Sequence, residues 1–170
     1  MEDIFVVRQQ GGLTDDELRA ALEQSLQGRN LMRVLIIPPD FTRFHSQAGK
    51  ITNLYYHLLK ARGVLVDILP ALGTHAPVTK EQWQLMYGDI PYECMMIHDW
   101  RRDVLRLGEV PAEYVKQVTE GLWQDPVDVE INRRIMDPAY DLIISPGQVV
   151  PHEVVGMANH AKNLFVGVGG

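Results

Sequence analysis

The stretch "LMRVLIIPPDFTR", Leu31–Arg43, decides the fold of this 170-residue chain. It contains a nearly continuous apolar run of strand length that shows no alternation with polar residues. Such a run is typical of a strand that is buried on both faces and lies inside a parallel sheet. Pro38 and Pro39 end the run, because proline cannot donate to a sheet ladder. Asp40 and Arg43 follow directly, so polar side chains are expected at the carboxyl end of this strand.

Strands and helices alternate on either side of this stretch. Capping signals and a period near 3.6 residues predict helices over residues 14–28, 51–63 and 80–88. Apolar runs predict three more buried strands, over residues 64–72, 93–100 and 141–147. Alternation of apolar and polar residues between 110 and 137, in "EYVKQVTEG" and "DPVDVEINRRI", predicts half-exposed antiparallel strands. We therefore expect residues 1–170 to form a single α/β domain with a Rossmann-like, mainly parallel sheet flanked by helices and an added antiparallel segment around 110–137.

Composition narrows the classes of partner. A net charge of -6 gives no basic surface for nucleic acid or for an anionic membrane, so a small molecule or another protein is the expected partner. Cys94 is the only cysteine, which rules out an internal disulfide and favours the reducing cytoplasm. No apolar run reaches the length of a membrane span, and "MEDIFVVRQQ" does not have the pattern of a signal peptide.

Reactive side chains follow each of the four predicted strands. The carboxyl ends of parallel strands meet at one edge of a sheet, where α/β proteins bind their ligands. The residues expected at this edge are Asp40 and Arg43, His75, His98 and Asp99, and His152.

Two of these histidines suit acid/base chemistry. His75 follows Gly73 and Thr74 at a strand end, and His152 follows Pro151. An imidazole titrates near neutral pH, and two bases on opposite sides of a substrate are what a racemase or epimerase requires. The alternative is that either histidine caps a helix or fills the core.

Lys162 and Arg43 are the candidate cations. Lys162 lies ten residues after His152 in "NHAKNLFVGV" and could be a nucleophile or a covalent tether, or an ordinary surface lysine. Arg43 could recognise a carboxylate or phosphate, or it could pair with Asp40 and hold the turn.

The other histidines have weaker contexts. His98 precedes Asp99, but neighbours on a strand point in opposite directions, which argues against a direct relay. We interpret His45 and His57 as structural and His160 as a candidate for lining the site. The chain has no HExxH, paired CxxC or P-loop motif, so a metal site built wholly from this chain is not expected.

Four segments together resemble, in order and spacing, the N-terminal domain of the nickel-pincer lactate racemase family. They are "PPDFTR", "LGTHAPVT", "IHDW" and "SPGQVVPHEVVGMANHAKNLFVGVGG", and the resemblance runs from about Leu31 to Gly170. It implies a racemase or epimerase of 2-hydroxy acids that transfers a hydride to its cofactor through a 2-keto acid. It also implies a second, C-terminal domain that this chain lacks, so that the isolated domain would be inactive or nearly so.

The resemblance assigns a role to each candidate residue. The implied cofactor is the nickel-pincer nucleotide, a pyridinium-3-thioamide-5-thiocarboxylic acid mononucleotide that holds nickel. Lys162 would be the covalent tether, and His75 and His152 the paired acid/base residues. Asp40 and Arg43 would match the PDxTR element of the family, with Arg43 facing the substrate carboxylate or nearby anionic groups. The protein ligand of nickel would be a histidine beyond this stretch.

Two departures from the family pattern concern the pocket wall. Ala76 stands where many relatives have arginine, and "GMANH" stands where lactate racemases have "GFSGG". These changes favour a larger or more polar 2-hydroxy acid, such as a sugar acid or a dicarboxylate, at least as much as lactate. Two other functions stay open: a non-catalytic anion- or nucleotide-binding module, and a cofactor-independent enzyme with a Schiff-base lysine.

Overall fold

The computed structural model describes residues 3–8 and 10–170. The α-helices are α1 Asp15–Ser25, α2 Ala48–Ala61, α3 Lys80–Tyr87 and α4 Ala112–Val118. The strands are β1 Arg33–Ile36, β2 Leu65–Ile68, β3 Val104–Val110, β4 Val127–Asn132, β5 Leu142–Ile144, β6 Pro151–His152 and β7 Gly156–Met157. No helix among these residues is both long and apolar enough to cross a membrane.

The central sheet is parallel, with strand order β2-β1-β5. Its middle strand, β1, is buried on both faces. Val34 and Ile36 pack into the core beneath α1, α2 and α3, whereas Leu35 and Ile37 pack into a second core on the opposite face. The predicted parallel α/β fold is confirmed, and the apolar run around β1 is continuous because neither face meets water.

The predicted helix starts are also confirmed. The backbone N–H of Glu17 donates to Oγ1 of Thr14 at 3.3 Å, and the backbone N–H of Thr14 donates to Oε2 of Glu17 at 2.8 Å. Thr79 and Gln82 form the same reciprocal pair at the start of α3. These bonds satisfy N–H groups that the helix itself leaves without partners.

The strand predicted over residues 93–100 is wrong. Residues Tyr92–Cys94 form a turn of 3-10 helix, and only Met95 then forms a bridge with Ile68 of β2. The backbone N–H of Met96 donates to the carbonyl of Ile68 at 2.7 Å, so the segment runs along the sheet edge without forming a strand. Cys94, Met95 and Met96 pack partly against the two cores, whereas Ile97 is exposed.

The antiparallel segment exists, but part of it is helical. Strand β3 pairs with β4, and Val110 lies opposite Val127. The predicted strand "EYVKQVTEG", residues 113–121, is instead mainly helix α4, with Val115 as its buried residue. Pro111 precedes this helix, where its missing N–H has no intrahelical partner to lose, and a run this short carries too few apolar residues to distinguish periods of two and 3.6.

The end of the chain packs into the core. Val168 is fully buried, and its carbonyl accepts a hydrogen bond of 2.7 Å from the backbone N–H of Asn132. The carbonyl of Gly167 accepts another from Gly73, also at 2.7 Å. A Cβ at position 167 would lie 2.5 Å from the Cβ of Ala71, so only glycine allows this close approach.

We predict that Gly167→Ala lowers the free energy of unfolding by about 1–3 kcal/mol, because the added methyl group overpacks against Ala71. Urea denaturation measures the difference. Gly12→Ala is the matched control, since nothing lies within 4 Å of a Cβ there, and a change within about 0.5 kcal/mol is expected. Equal stability of the two variants would contradict the close packing of Gly167 on Ala71.

Candidate functional site

Two adjoining cavities lie at the carboxyl edge of the parallel sheet. The first, of about 90 Å³, is lined by His152, and the second, of about 170 Å³, is lined by Asp40 and His75. Both are lined by Pro39, Arg43, Lys162 and Asn163. The sheet therefore brings all five predicted site residues to the walls of two cavities that share Arg43 and Lys162.

The loops after β1 and β2 meet through an Asp–His pair. Nδ1 of His75 hydrogen-bonds to Oδ2 of Asp40, and Oδ1 of Asp40 accepts a bond of 2.5 Å from the hydroxyl of Thr42. The Asp40 side chain is 10% exposed and that of His75 is 60% exposed. A carboxylate facing Nδ1 holds the proton on that nitrogen, so Nε2 of His75 carries a free lone pair.

Helix α3 holds the segment that follows β1 and carries Asp40. The buried hydroxyl of Tyr87 donates to the carbonyl of Pro39 at 3.1 Å. Burial, together with the nearby Asp40 charge, raises the pKa of Tyr87 far above its ordinary value. Tyr87 therefore remains a neutral donor and fixes the backbone immediately before Asp40.

His152 has the opposite arrangement of protons. Its Nδ1 accepts hydrogen bonds from the backbone N–H groups of Val154 at 3.1 Å and Val155 at 3.3 Å. The proton of the neutral ring must then lie on Nε2. With both rings neutral, Nε2 of His75 would thus carry a lone pair and Nε2 of His152 would carry the proton.

A carboxylate also lies close to His152. Oε2 of Glu153 is 3.7 Å from Nδ1 of His152, which would be an ion pair only if that nitrogen carried a proton. The two backbone donors are closer and the Glu153 side chain is 83% exposed, so they define the neutral state of His152. The backbone N–H of Glu153 lowers the pKa of this carboxyl, and the positive charge that His152 carries when it is protonated lowers it further.

Arg43 and Lys162 are the unpaired cations of the site. Within residues 3–8 and 10–170, no carboxylate lies in ion-pair distance of either side chain. Asp40 bonds to His75, and only the backbone N–H of Arg43 reaches Asp40, at its carbonyl. The alternative in which Asp40 and Arg43 form an ion pair across the turn is therefore wrong.

His98 and Asp99 do not line the cavities at the carboxyl edge of the sheet. His98 is 5% exposed, its Nε2 donates to the carbonyl of Gly169 at 2.9 Å, and its Nδ1 accepts from Asn132 at 3.1 Å. Asp99 accepts from the backbone N–H of Arg101. The expected convergence of all four loops is thus wrong for the third, because residues 93–100 do not form a strand that ends at the edge.

The remaining histidines are exposed. His57 pairs with Asp89 at 2.9 Å, and His45 contacts the ring of Phe44. His160 is exposed and lines neither of the two cavities, so its predicted place in the site is wrong.

The polar residues around Lys162 were not predicted from the sequence. Asn163 is 2% exposed and its Nδ2 donates to Oδ1 of Asn159 at 2.7 Å and to the hydroxyl of Ser145 at 3.2 Å. A backbone hydrogen bond joins Lys162 to this network, because the N–H of Lys162 donates to the carbonyl of Asn159. The available signal in the sequence was the pair of Asn159 and Asn163, which are four residues apart on either side of Lys162.

The largest of the other hollows lies away from these two cavities. A wider groove of about 750 Å³ runs along β5 and the end of α1, but its lining contains no histidine or lysine. Among the residues that the structure describes, no three His, Cys, Asp or Glu side chains group closely enough to hold a metal ion.

Comparisons with known proteins show the family and the fold. The lactate racemase N-terminal domain family matches residues 16–170. A protein of Thermotoga maritima of known crystal structure superposes with a TM-score of 0.82 at 24% sequence identity, covering 92% of this chain and 38% of that one. The lactate racemase apoprotein of Thermoanaerobacterium thermosaccharolyticum gives a TM-score of 0.62 at 19% identity, covering 89% of this chain and 36% of that one.

These two likenesses show a shared fold, and this chain spans less than half the length of either protein. No curated protein matches the sequence. Because the family match extends over nearly the whole chain, the chain belongs to the lactate racemase N-terminal domain family.

Proposed function

We propose that this chain is the cofactor-bearing domain of a nickel-pincer-nucleotide-dependent racemase or epimerase of 2-hydroxy acids. The observation that carries the proposal is the position of His75 and His152 on two adjoining cavities that share the unpaired cations Arg43 and Lys162, with Nδ1 of His75 facing a carboxylate and Nδ1 of His152 facing backbone N–H groups. When the hydride leaves Cα the substrate hydroxyl must lose its proton, and when the hydride returns on the other face the oxygen must regain one, so the reaction needs a proton acceptor and a proton donor.

The side chains present fit an anionic mononucleotide joined to lysine. Lys162 is half-buried, opens to both cavities and has no carboxylate partner among the described residues, so its amine is available for a covalent bond. Arg43, which is equally unpaired, suits a phosphate or carboxylate. When bound, the nucleotide would accept the hydride from Cα of the substrate and give it back.

His75 would take the proton of the substrate hydroxyl. Its Nε2 lone pair is accessible, and Asp40 would stabilise the imidazolium that forms, as carboxylates do in other Asp–His pairs. Thr42 and the backbone held by Tyr87 keep this carboxylate in place, which makes Asp40 a positioning residue.

His152 would return a proton to the carbonyl oxygen of the 2-keto acid. To do so it must first carry protons on both ring nitrogens, and Nδ1 must then exchange its two backbone donors for an acceptor. Glu153, whose carboxylate is 3.7 Å from Nδ1, is the acceptor at hand. We therefore assign to Glu153 the same task at His152 that Asp40 has at His75.

The partner that we propose is the C-terminal domain of the same protein, closing over the two cavities. Apolar side chains are exposed in the segments around His152 and Lys162, where a covering domain would bury them and exclude water. They are Val149, Val150, Val154, Val155, Met157, Phe165 and Val166. Separated from that domain, the chain would have little or no activity.

We further propose a cytoplasmic location. Cys94 is the only thiol, and it is partly buried beside the hydroxyl of Tyr56, with no cysteine to which it could be joined. A chain without an internal disulfide suits a reducing compartment.

The assignment of Lys162 is tested by mass spectrometry of the chain made together with the cofactor-making enzymes. We expect a mass increase on the peptide that contains Lys162 and none in Lys162→Arg, which keeps the charge but loses the amine nucleophile. Lys60→Arg, at the exposed end of α2, is the control and should leave the adduct in place.

Two results would contradict this assignment. Racemisation by a protein with unmodified Lys162 would show that the tether lies elsewhere. Trapping of a keto acid on Lys162 by borohydride, with no adduct from the cofactor pathway, would favour the Schiff-base alternative.

The role of Asp40 is tested in the full-length two-domain protein with Asp40→Asn. The amide can donate to Nδ1 of His75 and so favours the tautomer with its proton on Nε2, which cannot accept the substrate proton. We expect kcat to fall by about 10²–10⁴-fold with a much smaller change in KM.

Asp89→Asn removes the carboxylate from the exposed pair with His57 and is the matched control, with kcat expected to stay within about twofold of wild type. If Asp40→Asn loses no more kcat than this control, then His75 does not depend on Asp40.

A further inference from the structure

Asn159 and His160 have unusual backbone conformations. Their φ angles are 58° and 49°, so two successive residues other than glycine lie in the left-handed region. Asparagine tolerates this conformation better than most residues, but two in succession persist only where the surrounding structure holds them. The turn that they form leads directly into Lys162.

Hydrogen bonds fix the orientation of the Asn159 amide. Its Oδ1 accepts from Nδ2 of Asn163 at 2.7 Å and from the hydroxyl of Ser145 at 3.1 Å. Rotating the amide by 180° would place two NH₂ groups against each other, so this network holds Oδ1 on the protein side. Nδ2 is left with no acceptor among the described residues.

Gly147 makes room for this amide. A Cβ at position 147 would lie 2.9 Å from both Cγ and Nδ2 of Asn159, closer than real Cβ contacts. The amide therefore packs flat on the backbone of the loop that follows β5. Its position is fixed from two sides, by Gly147 and by Asn163.

The residue that carries this free donor lines the cavity of His152. Asn159 lines that cavity together with Arg43, His152 and Lys162, and it is half-buried. A half-buried N–H without a protein partner in a ligand cavity is satisfied by an acceptor on the ligand, or by water when the ligand lacks one.

The charges near the cavity argue for an uncharged acceptor. Arg43 can pair with one carboxylate of the substrate, and Lys162 is assigned to the cofactor. Glu153 also lines the cavity, and a second ligand carboxylate would meet this negative charge with no free cation to balance it. A hydroxyl group meets neither obstacle.

We propose that Asn159 makes this site selective for 2-hydroxy acids that carry a hydroxyl group on carbon 3. The substrates are then 2,3-dihydroxy acids, the simplest of which is glycerate, and Nδ2 of Asn159 donates to the hydroxyl of carbon 3. This inference rests on the proposed racemase function and specifies its substrate class.

The test compares kcat/KM for racemisation of glycerate, lactate and malate by the full-length two-domain protein carrying its cofactor. These acids have a hydroxyl, a hydrogen and a carboxylate, respectively, on carbon 3. We expect glycerate to exceed each of the others by about tenfold or more. In Asn159→Gly, which suits the positive φ and removes only the side chain, the ratio of glycerate to lactate should fall to within about twofold of one.

One further variant controls for the backbone. Glu120→Gly relaxes another non-glycine residue of positive φ, 53°, outside the site, and should leave the ratio unchanged.

The outcomes distinguish this inference from the function on which it rests. If no 2-hydroxy acid is racemised, the proposed function itself fails. If racemisation occurs but lactate or malate matches glycerate, or if the preference survives Asn159→Gly, the function stands and the role of Asn159 is refuted.

Discussion

The burial of β1 on both faces is the constraint on which the rest of the structure depends. Val34 and Ile36 face one core and Leu35 and Ile37 the other, so the strand is held from both sides and its end cannot shift. Parallel pairing with β2 and β5 then brings three carboxyl ends to one edge. The hydrogen bond from Tyr87 to Pro39 extends this rigidity to Asp40, and the bond from Asp40 to His75 extends it to the next loop. A chemically reactive edge of this kind needs a core that is rigid in this way, because misplacement of a base by even one ångström weakens catalysis severely.

The two histidines are supported by unequal means, and this inequality has a chemical meaning. The carboxylate beside His75 is buried, and it is bonded to Thr42 as well, so it is held in place from two sides. The carboxylate beside His152 is exposed and must displace two backbone donors before it can accept a proton from Nδ1. In our proposal His75 would therefore act as the base, whereas His152 would become an acid only after a local rearrangement of residues 152–155. In our proposal that rearrangement would accompany closure of the C-terminal domain over the neighbouring apolar side chains.

The sequence predicted the features that depend on local signals. The apolar run around β1, the capping boxes at Thr14 and Thr79, and the loop positions of Asp40, His75 and His152 all followed from residue type and spacing. What it could not predict depends on tertiary packing. Residues 93–100 are as apolar as a strand but lie beside the sheet. The pattern around Val115 suits a strand or a helix equally, and only the structure shows that a helix begins after Pro111. Neither the tautomers of the two histidines nor the partner of Asp40 can be predicted from spacing, because each depends on an atom contributed by another loop.

The difference between "GMANH" and the "GFSGG" of lactate racemases acquires a physical explanation from the φ angles of its last two residues. Asn159 and His160 stand at the positions of the two glycines, and both have the left-handed backbone that glycine adopts without strain. The turn itself is therefore the feature that the fold requires, since it directs Lys162 toward the cavities, and either pair of residues can supply it. Glycine supplies it with no side chain. Asparagine supplies it at some conformational cost but adds an amide beside Arg43 and His152, held by Asn163 and accommodated by Gly147. Of the two residues in this conformation only Asn159 lines the ligand cavity, and in our proposal its amide serves recognition there.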